Sequence, residues 1–414
     1  MMLWKRVVGL VAVVWVAAGA CSALTGDGSD NVFARAAVPA SEARLDDAVL
    51  AFHVGPANDE MFTPLGRVHK PGFLVLVAQD GSIRTIRTAA MDQATLAWSS
   101  HGLYFSDENT DYVLDQDGLT GFRNPKAPGQ NLNFALRDGG AIGVYNKGGT
   151  EGGYLNQVTV TTDTGSRLYD VQGNYFNGAD CDGQIFGLSG DPGSHLSASA
   201  SIPGMSSKAD PGASPQMLAR LYPPSPTGAE ELVAWRPSFD AVVVPGQLPC
   251  HRDKIIFLSW DRDADGSQHP RVVTWNTRTG HYRHRPLTFP DNTKLSFEPF
   301  GLSSYGPHSL RDDHLDWIYA DGRVFSTNIA TGRTTELFTT NLPRQIGGTT
   351  KPYFAFTPTK IHALNQLYES PGDLTYLTFD RTTGTPTTTP LPIPNTNLNR
   401  SHLNLWRITP HPTP

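Results

Sequence analysis

Three aspartates at alternate positions, Asp261, Asp263 and Asp265, followed at once by Gly266, form the sharpest chemical signal in this chain. Carboxylate oxygens spaced in this way can converge on one hard cation, and the glycine lets the loop fold back on itself. Calcium is the ion that suits such oxygens; no other cofactor is expected. Continuing the count puts His269 at the ninth position and Val272 at the twelfth, where a bidentate carboxylate would complete the shell. Two readings fit: a weak calcium site that borrows a ligand, or a solvated acidic hairpin. Asp107, Asn109 and Asp111 repeat the spacing without the glycine, which weakens the same signal.

The aspartate loop resembles the first half of an EF-hand-type calcium loop, and D-x-D-x-D-G hairpins also hold calcium in some β-propellers. The chain's 13 histidines make no comparable constellation. His281 and His284 lie three apart in an alternating segment, which sends their side chains to opposite faces of a strand. His308 and His314 flank a polar connector, GPHSLRDDH. No H-E-x-x-H, no G-x-S-x-G, no phosphate-binding loop and no paired-cysteine zinc pattern occurs.

The elements that must position these residues are short. FLVLVAQ, GLYFSD, DYVLDQ, NQVTVTT, KIIFLSW, RVVTWN, RVFSTN and LTYLTFD are β-branched or aromatic runs bounded by Gly, Asp, Asn or Pro, as strands should be. Between them a tip recurs: TRTG, ATG, RTTG. Four Thr-Gly pairs end at Gly228, Gly280, Gly332 and Gly384, an unvarying step of 52 residues. Gly165, Gly118 and Gly81 extend the series upstream, with a Gly/Ser/Ala/Pro insert at 190–215 accounting for the one long step. A period near 50 with about four strands per repeat predicts an all-β fold, a β-propeller of seven blades, each of four antiparallel strands. Blade one is the least defined, so six or eight blades also fit the count. The strand LNLWRIT at the C-terminus is expected to pair with VLAFHV near the N-terminus and close the ring, which removes an exposed edge.

The tips are similar to the D-x-x-T-G tips of quinone-dependent dehydrogenases. HYRH, RTTE and TPTT follow the glycines, however, where that family carries a docking Trp. Sialidase-type Asp boxes are absent as well: Ser259-Trp260-Asp261 begins like one but lacks the required Gly.

Composition narrows the setting. Net charge is −6 with no basic run, so no nucleic-acid partner is expected. Residues 1–20 pair a short basic segment, MMLWKR, with an apolar run too short for a comfortable membrane span, the form of a signal peptide. Ala18-Gly19-Ala20-Cys21 resembles a bacterial lipobox, with Ala18 where Leu or Val is usual. The resemblance implies lipidation at Cys21 and anchoring to the cell membrane; plain secretion and a retained anchor are the alternatives. The resulting division is a leader at 1–20, a lipidated cysteine with a flexible tether at 21–45, and one propeller at 46–414. Composition and leader together suggest a bacterial lipoprotein of a high-GC organism. In an oxidising compartment Cys181 and Cys250 are expected to pair, the alternative being two unrelated buried thiols.

Propeller topology sorts loops by face. Loops between second and third strands share a face with the blade-to-blade connections, and irregular sequence collects there over blades two to five. The expected binding rim comprises Asp107, Asn109, Asp111, Asn146, His269 and His308. The function this favours is a membrane-tethered, monomeric platform for an envelope protein, glycan or peptide. The alternative is an envelope hydrolase or lyase with its site in the axial funnel.

Overall fold

In the computed structural model seven blades, each of four antiparallel strands and one with a short fifth strand added, stand around one axis. The described residues are 31–412, apart from 57–61, 64–65, 68–70, 152, 191–214, 227–229, 237–241, 243–245, 263–267, 296–302, 343–349, 368–371 and 395–402. Blades two to seven each run outward in chain order. Blade five shows the pattern: innermost Cys250–His251, then Lys254–Arg262, Gln268–Asn276 and outermost Tyr282–Pro286.

Blade one is built from both ends of the chain. Its innermost strand is the C-terminal Asn404–Pro410, which pairs antiparallel with Ala48–Gly55 through Phe52 opposite Ile408 and Val54 opposite Leu405. Gly72–Ala78 and Ile83–Thr88 complete the sheet. The ring therefore closes as the sequence predicts, and seven is the blade number.

The apolar faces of neighbouring blades meet to form the core. One cluster joins Leu50, Phe52 and Phe73 of blade one to Leu364, Tyr376 and Ile393 of blade seven. Another runs from Phe186 through Phe257 and Trp275 to Trp317, spanning blades four to six. The middle strands, such as Gly72–Ala78 and Gly102–Ser106, bury both faces because they sit between two sheets, which is why those runs read as nearly continuous β-branched and aromatic residues.

The repeated tips do more than turn the chain. In blades five, six and seven an Asx residue caps the hairpin: Asn276, Asn328 and Asp380 each accept, on Oδ1, the N–H groups two and three residues on and the following threonine's hydroxyl. The glycine that follows has positive φ, +78° at Gly332 and +71° at Gly384. Blade twist also carries each of these tips onto the outermost strand of the preceding blade. A methyl group at Gly384 would lie 2.6 Å from Phe338, and one at Gly332 would run into the Pro286 carbonyl. The 52-residue period thus marks one contact repeated from blade to blade.

Blades four and five are joined covalently. Cys181 ends the innermost strand of one and Cys250 begins that of the other, and they form a disulfide with Cα atoms 5.4 Å apart. A crosslink separated by 69 residues stabilises by about 4 kcal/mol in the chain-entropy model. Replacing both cysteines by serine should lower the urea-unfolding free energy by about 2–4 kcal/mol. Reductant should reproduce that loss in the parent protein, and an unchanged midpoint in both would refute the assignment.

Residues 31–45, expected to belong to a flexible tether, are docked on blade one. Asn31 caps the short helix Val32–Arg35 by accepting from Phe33 N–H. Phe33 is fully buried against Phe73. The Thr85 hydroxyl donates to the Phe33 carbonyl at 2.6 Å, so the outermost strand of the blade receives the segment. An apolar anchor inside an otherwise Ala/Ser-rich stretch is enough to dock it.

Candidate functional site

The turn over blade two spans only Asp107 to Asn109, and two of its three predicted rim residues face inward. Asp107 Oδ1 accepts the N–H groups of Asn109 and Thr110, each at 2.8 Å. Its Oδ2 accepts from Ala89 N–H at 2.9 Å and from the Tyr112 hydroxyl at 3.0 Å. Burial, with the Asp107 charge second, pushes the Tyr112 pKa up to about 12. Asp111 is 1% exposed and forms an ion pair with Lys126 Nζ at 3.1 Å, both side chains lying out of water. The hydroxyls of Ser106 and Ser166 donate to its two oxygens at 2.7 and 2.6 Å, and the Asn124 amide adds a third bond. Burial lowers the Lys126 pKa while Asp111 opposes that shift. Of the predicted trio only Asn109 is exposed. The aspartates shape the rim from beneath and tie blade two to Ser166 and Tyr145 of blade three.

Blade three carries the tallest described feature of this face. Its second and third strands, Ala141–Thr150 and Gly153–Thr162, are ten residues each and stay paired out to Thr150 opposite Gly153. A bulge between Asn146 and Gly148 twists the outer half of the hairpin. The arm is braced at its base, where Asn146 Oδ1 accepts from the Tyr154 hydroxyl at 2.6 Å and Lys147 pairs with Asp170 at 2.6 Å. Beyond that, Gly149, Thr150 and Glu151 are exposed.

The blade-five loop is described only at its flanks. Asp261 lies in the strand Lys254–Arg262 opposite His269. Asp263, Asp265 and Gly266 lie outside the described residues, as does Cys21. Among the described residues no three His, Cys, Asp or Glu side chains are grouped as a metal site requires. His269 is half-buried in its strand. His308 sits in a one-turn 3-10 helix, Pro307–Ser309, that interrupts the inner part of blade six, and its carbonyl accepts from Arg381 Nη1 at 2.7 Å. It is therefore grouped with the blade-six and blade-seven junction, away from the blade-two and blade-three rim.

One feature escaped the sequence reading altogether. Before entering blade five, Gly246–Gln247 adds as a parallel fifth strand to the inner edge of Tyr175–Cys181. Leu248 N–H donates to the Gly178 carbonyl at 2.7 Å, and the Gln247 amide donates to the Asn133 carbonyl of blade three. From across the ring the Arg407 guanidinium of blade one closes against Gly246. Burial lowers the Arg407 pKa to about 10. The signal was in the sequence: RPSFDAVVVPGQLP, an apolar-rich stretch, separates the last strand of blade four from Cys250.

No family model matches this chain, and no curated protein matches it. Several solved structures share the architecture. The cobalt-substituted ACO of Synechocystis is 8% identical, covering 85% of this chain and 92% of its own at a TM-score of 0.46. YCF48 bound to a D1 peptide is 12% identical, covering 80% and 93% at 0.39. BamB from Moraxella catarrhalis is 11% identical, covering 75% and 76% at 0.37. Similarity at this level concerns the architecture alone.

Proposed function

We propose that this chain is a membrane-tethered, extracytoplasmic propeller that serves as a binding or assembly platform in the cell envelope. Its partner would be an envelope protein, glycan or peptide met by the rim over blades two to five. The observation that carries this reading is the blade-three arm: ten-residue paired strands whose exposed polar end stands on a base braced by Asn146–Tyr154 and Lys147–Asp170, beside the buried Asp111–Lys126 pair of blade two. A rigid mount under an exposed hairpin lowers the ordering cost of binding. YCF48, solved with a peptide, is a propeller of similar architecture. Against the enzyme reading stands the chain's own Gly246–Gln247, which lies along the inner edge of blade four and meets Arg407 of blade one, narrowing the axis on that side.

The test is site-specific photocrosslinking in cells. A benzophenone side chain at Glu151 should give a discrete adduct, whereas one at Thr382, an exposed blade-seven tip, should not. With the benzophenone moved to Asn109 on the neighbouring rim, shortening the arm to an Asn-Gly turn after Asn146 should abolish the adduct without lowering the melting temperature. The absence of an adduct at Glu151, or equal adducts at both positions, would refute the platform reading. In the same cells Cys21→Ala should release the protein from the membrane fraction if lipid holds it there.

A further inference from the structure

The outermost strand of blade five stands apart from the other six. The run His281-Tyr282-Arg283-His284-Arg285 places two arginines and two histidines, with no acid, in five residues of a chain whose net charge is −6. His281, Arg283, His284 and Arg285 are all exposed, and the five residues line a shallow open depression of about 490 Å³.

Packing fixes several of these groups in place. The Arg236 guanidinium of blade four lies 3.5 Å from the Tyr282 ring centre, stacked on the aromatic face. Arg271 Nη1 lies 3.0 Å from His284 Nδ1. A guanidinium only donates, so Nδ1 is the acceptor and the neutral ring carries its hydrogen on Nε2. Arg285 donates Nε to the Ala330 carbonyl of the blade-six tip at 3.3 Å. The Arg283 side chain makes no hydrogen bond or ion pair with any described residue. The result is a row of donors along an edge strand whose cations are Arg236, stacked on Tyr282, and Arg283 and Arg285, two residues apart on one face of the strand.

A row is a different device from a cluster. At about 3.3 Å per residue Arg283 and Arg285 stand roughly 7 Å apart, and with Arg236 over Tyr282 they present separated cations, which suits repeated anionic groups better than a single ion. Guanidinium forks bind phosphate oxygens in pairs. A flat membrane fits less well, because the chain enters the fold at blade one, across the ring from blade five. We propose that this strand, with Arg236, binds a linear phosphate polyanion. The inference stands independently of the blade-three arm.

Fluorescence anisotropy of the full chain in non-ionic detergent, with labelled linear polyphosphate as probe, tests it. Binding should be measurable at low salt and fall at least about tenfold as salt rises to the physiological range. The double variant Arg236→Gln/Arg283→Gln should bind at least about tenfold more weakly, with a salt slope smaller by about two. Arg123→Gln, an exposed arginine on the outermost strand of blade two, should bind as the parent does, and all three should melt alike. Inorganic phosphate should compete only at far higher concentration. A glycerol-phosphate polymer competing as well as polyphosphate would extend the site to envelope phosphodiesters and support the proposal. Failure of the parent to bind, equal binding by the double variant, or equal loss in Arg123→Gln would each overturn it. So would inorganic phosphate competing as strongly as the polymer, or tighter binding to polyglutamate or anionic vesicles.

Discussion

Replacing Arg381 by methionine should destabilise the fold by about 3–5 kcal/mol, the range for breaking a buried ion pair from one side. Arg381 leaves the tip of blade seven and is only 1% exposed. Its Nη2 and Nε donate to Asp316 Oδ2 of blade six at 2.7 and 3.2 Å. The remaining donors reach the carbonyls of His308, Thr357 and Ser309 at 2.7, 2.8 and 2.9 Å. Asp316 is as deeply buried, accepts from the Ser326 hydroxyl at 2.7 Å and is ion-paired with Arg311, whose Nε lies 2.9 Å away. Methionine fills the space of the stem but leaves a carboxylate short of its main cation and three carbonyls without donors. Desolvation makes each of those losses costly. Asp316→Leu should cost a similar amount by stranding the guanidinium. The double variant should cost clearly less than the sum, because the two residues belong to one network. Urea unfolding of all four proteins measures this directly. A cost below about 1 kcal/mol for Arg381→Met, or strict additivity in the cycle, would show that the junction is held by its apolar contacts instead.

That junction also shows where sequence reading stops. Strands, tips, closure and the disulfide were legible because each leaves a local mark: alternation, a glycine after threonine at constant spacing, a Cys count. Asp316 lies in HLDWI and Arg381 in FDRTTG, and nothing local pairs them across 65 residues. SDENTD read as part of an exposed binding rim for the same reason. The groups that bury Asp111, namely Lys126, Tyr145 and Ser166, come from as far as 55 residues later. The step of 52 gave the blade count, yet it could not show that the tip glycines touch the preceding blade, since that depends on sheet twist. Polar residues between blades thus look like rim residues until the ring is closed.

The second large effect is a loss of stability in mild acid, arising from two buried histidines. His53 sits inside blade one at 0% exposure, and burial lowers its pKa to about 4. Its Nε2 lies 3.3 Å from the Thr88 hydroxyl. His362 of blade seven is held between the Tyr376 hydroxyl at 2.7 Å and Thr357 Oγ1 at 3.3 Å, and burial, with Lys360 second, lowers it to about 4 as well. In the unfolded chain both return to about 6.5, so the unfolded state takes up protons first as pH falls. The neutral rings therefore contribute fully above pH of about 6.5, and their contribution drains away between there and about 4. Each costs about 2 kcal/mol by pH of about 5, so the pair costs roughly 4 kcal/mol there and more below. Urea unfolding from neutral pH down to that point should show stability falling by up to about 1.4 kcal/mol per pH unit for each histidine. His53→Gln and His362→Gln will each shift the whole curve by whatever packing they lose, so the slope is the diagnostic. Each variant should remove its own share of the slope, and the double variant should leave a shallower dependence from His308, whose pKa is lowered by burial and by Arg381, and from carboxylates such as Asp380, whose pKa is held down by the Thr383 and Thr382 amides. Slopes identical to the parent in both single variants would mean that the rings take up protons in the folded state, and that the blades open enough in acid to admit water to them.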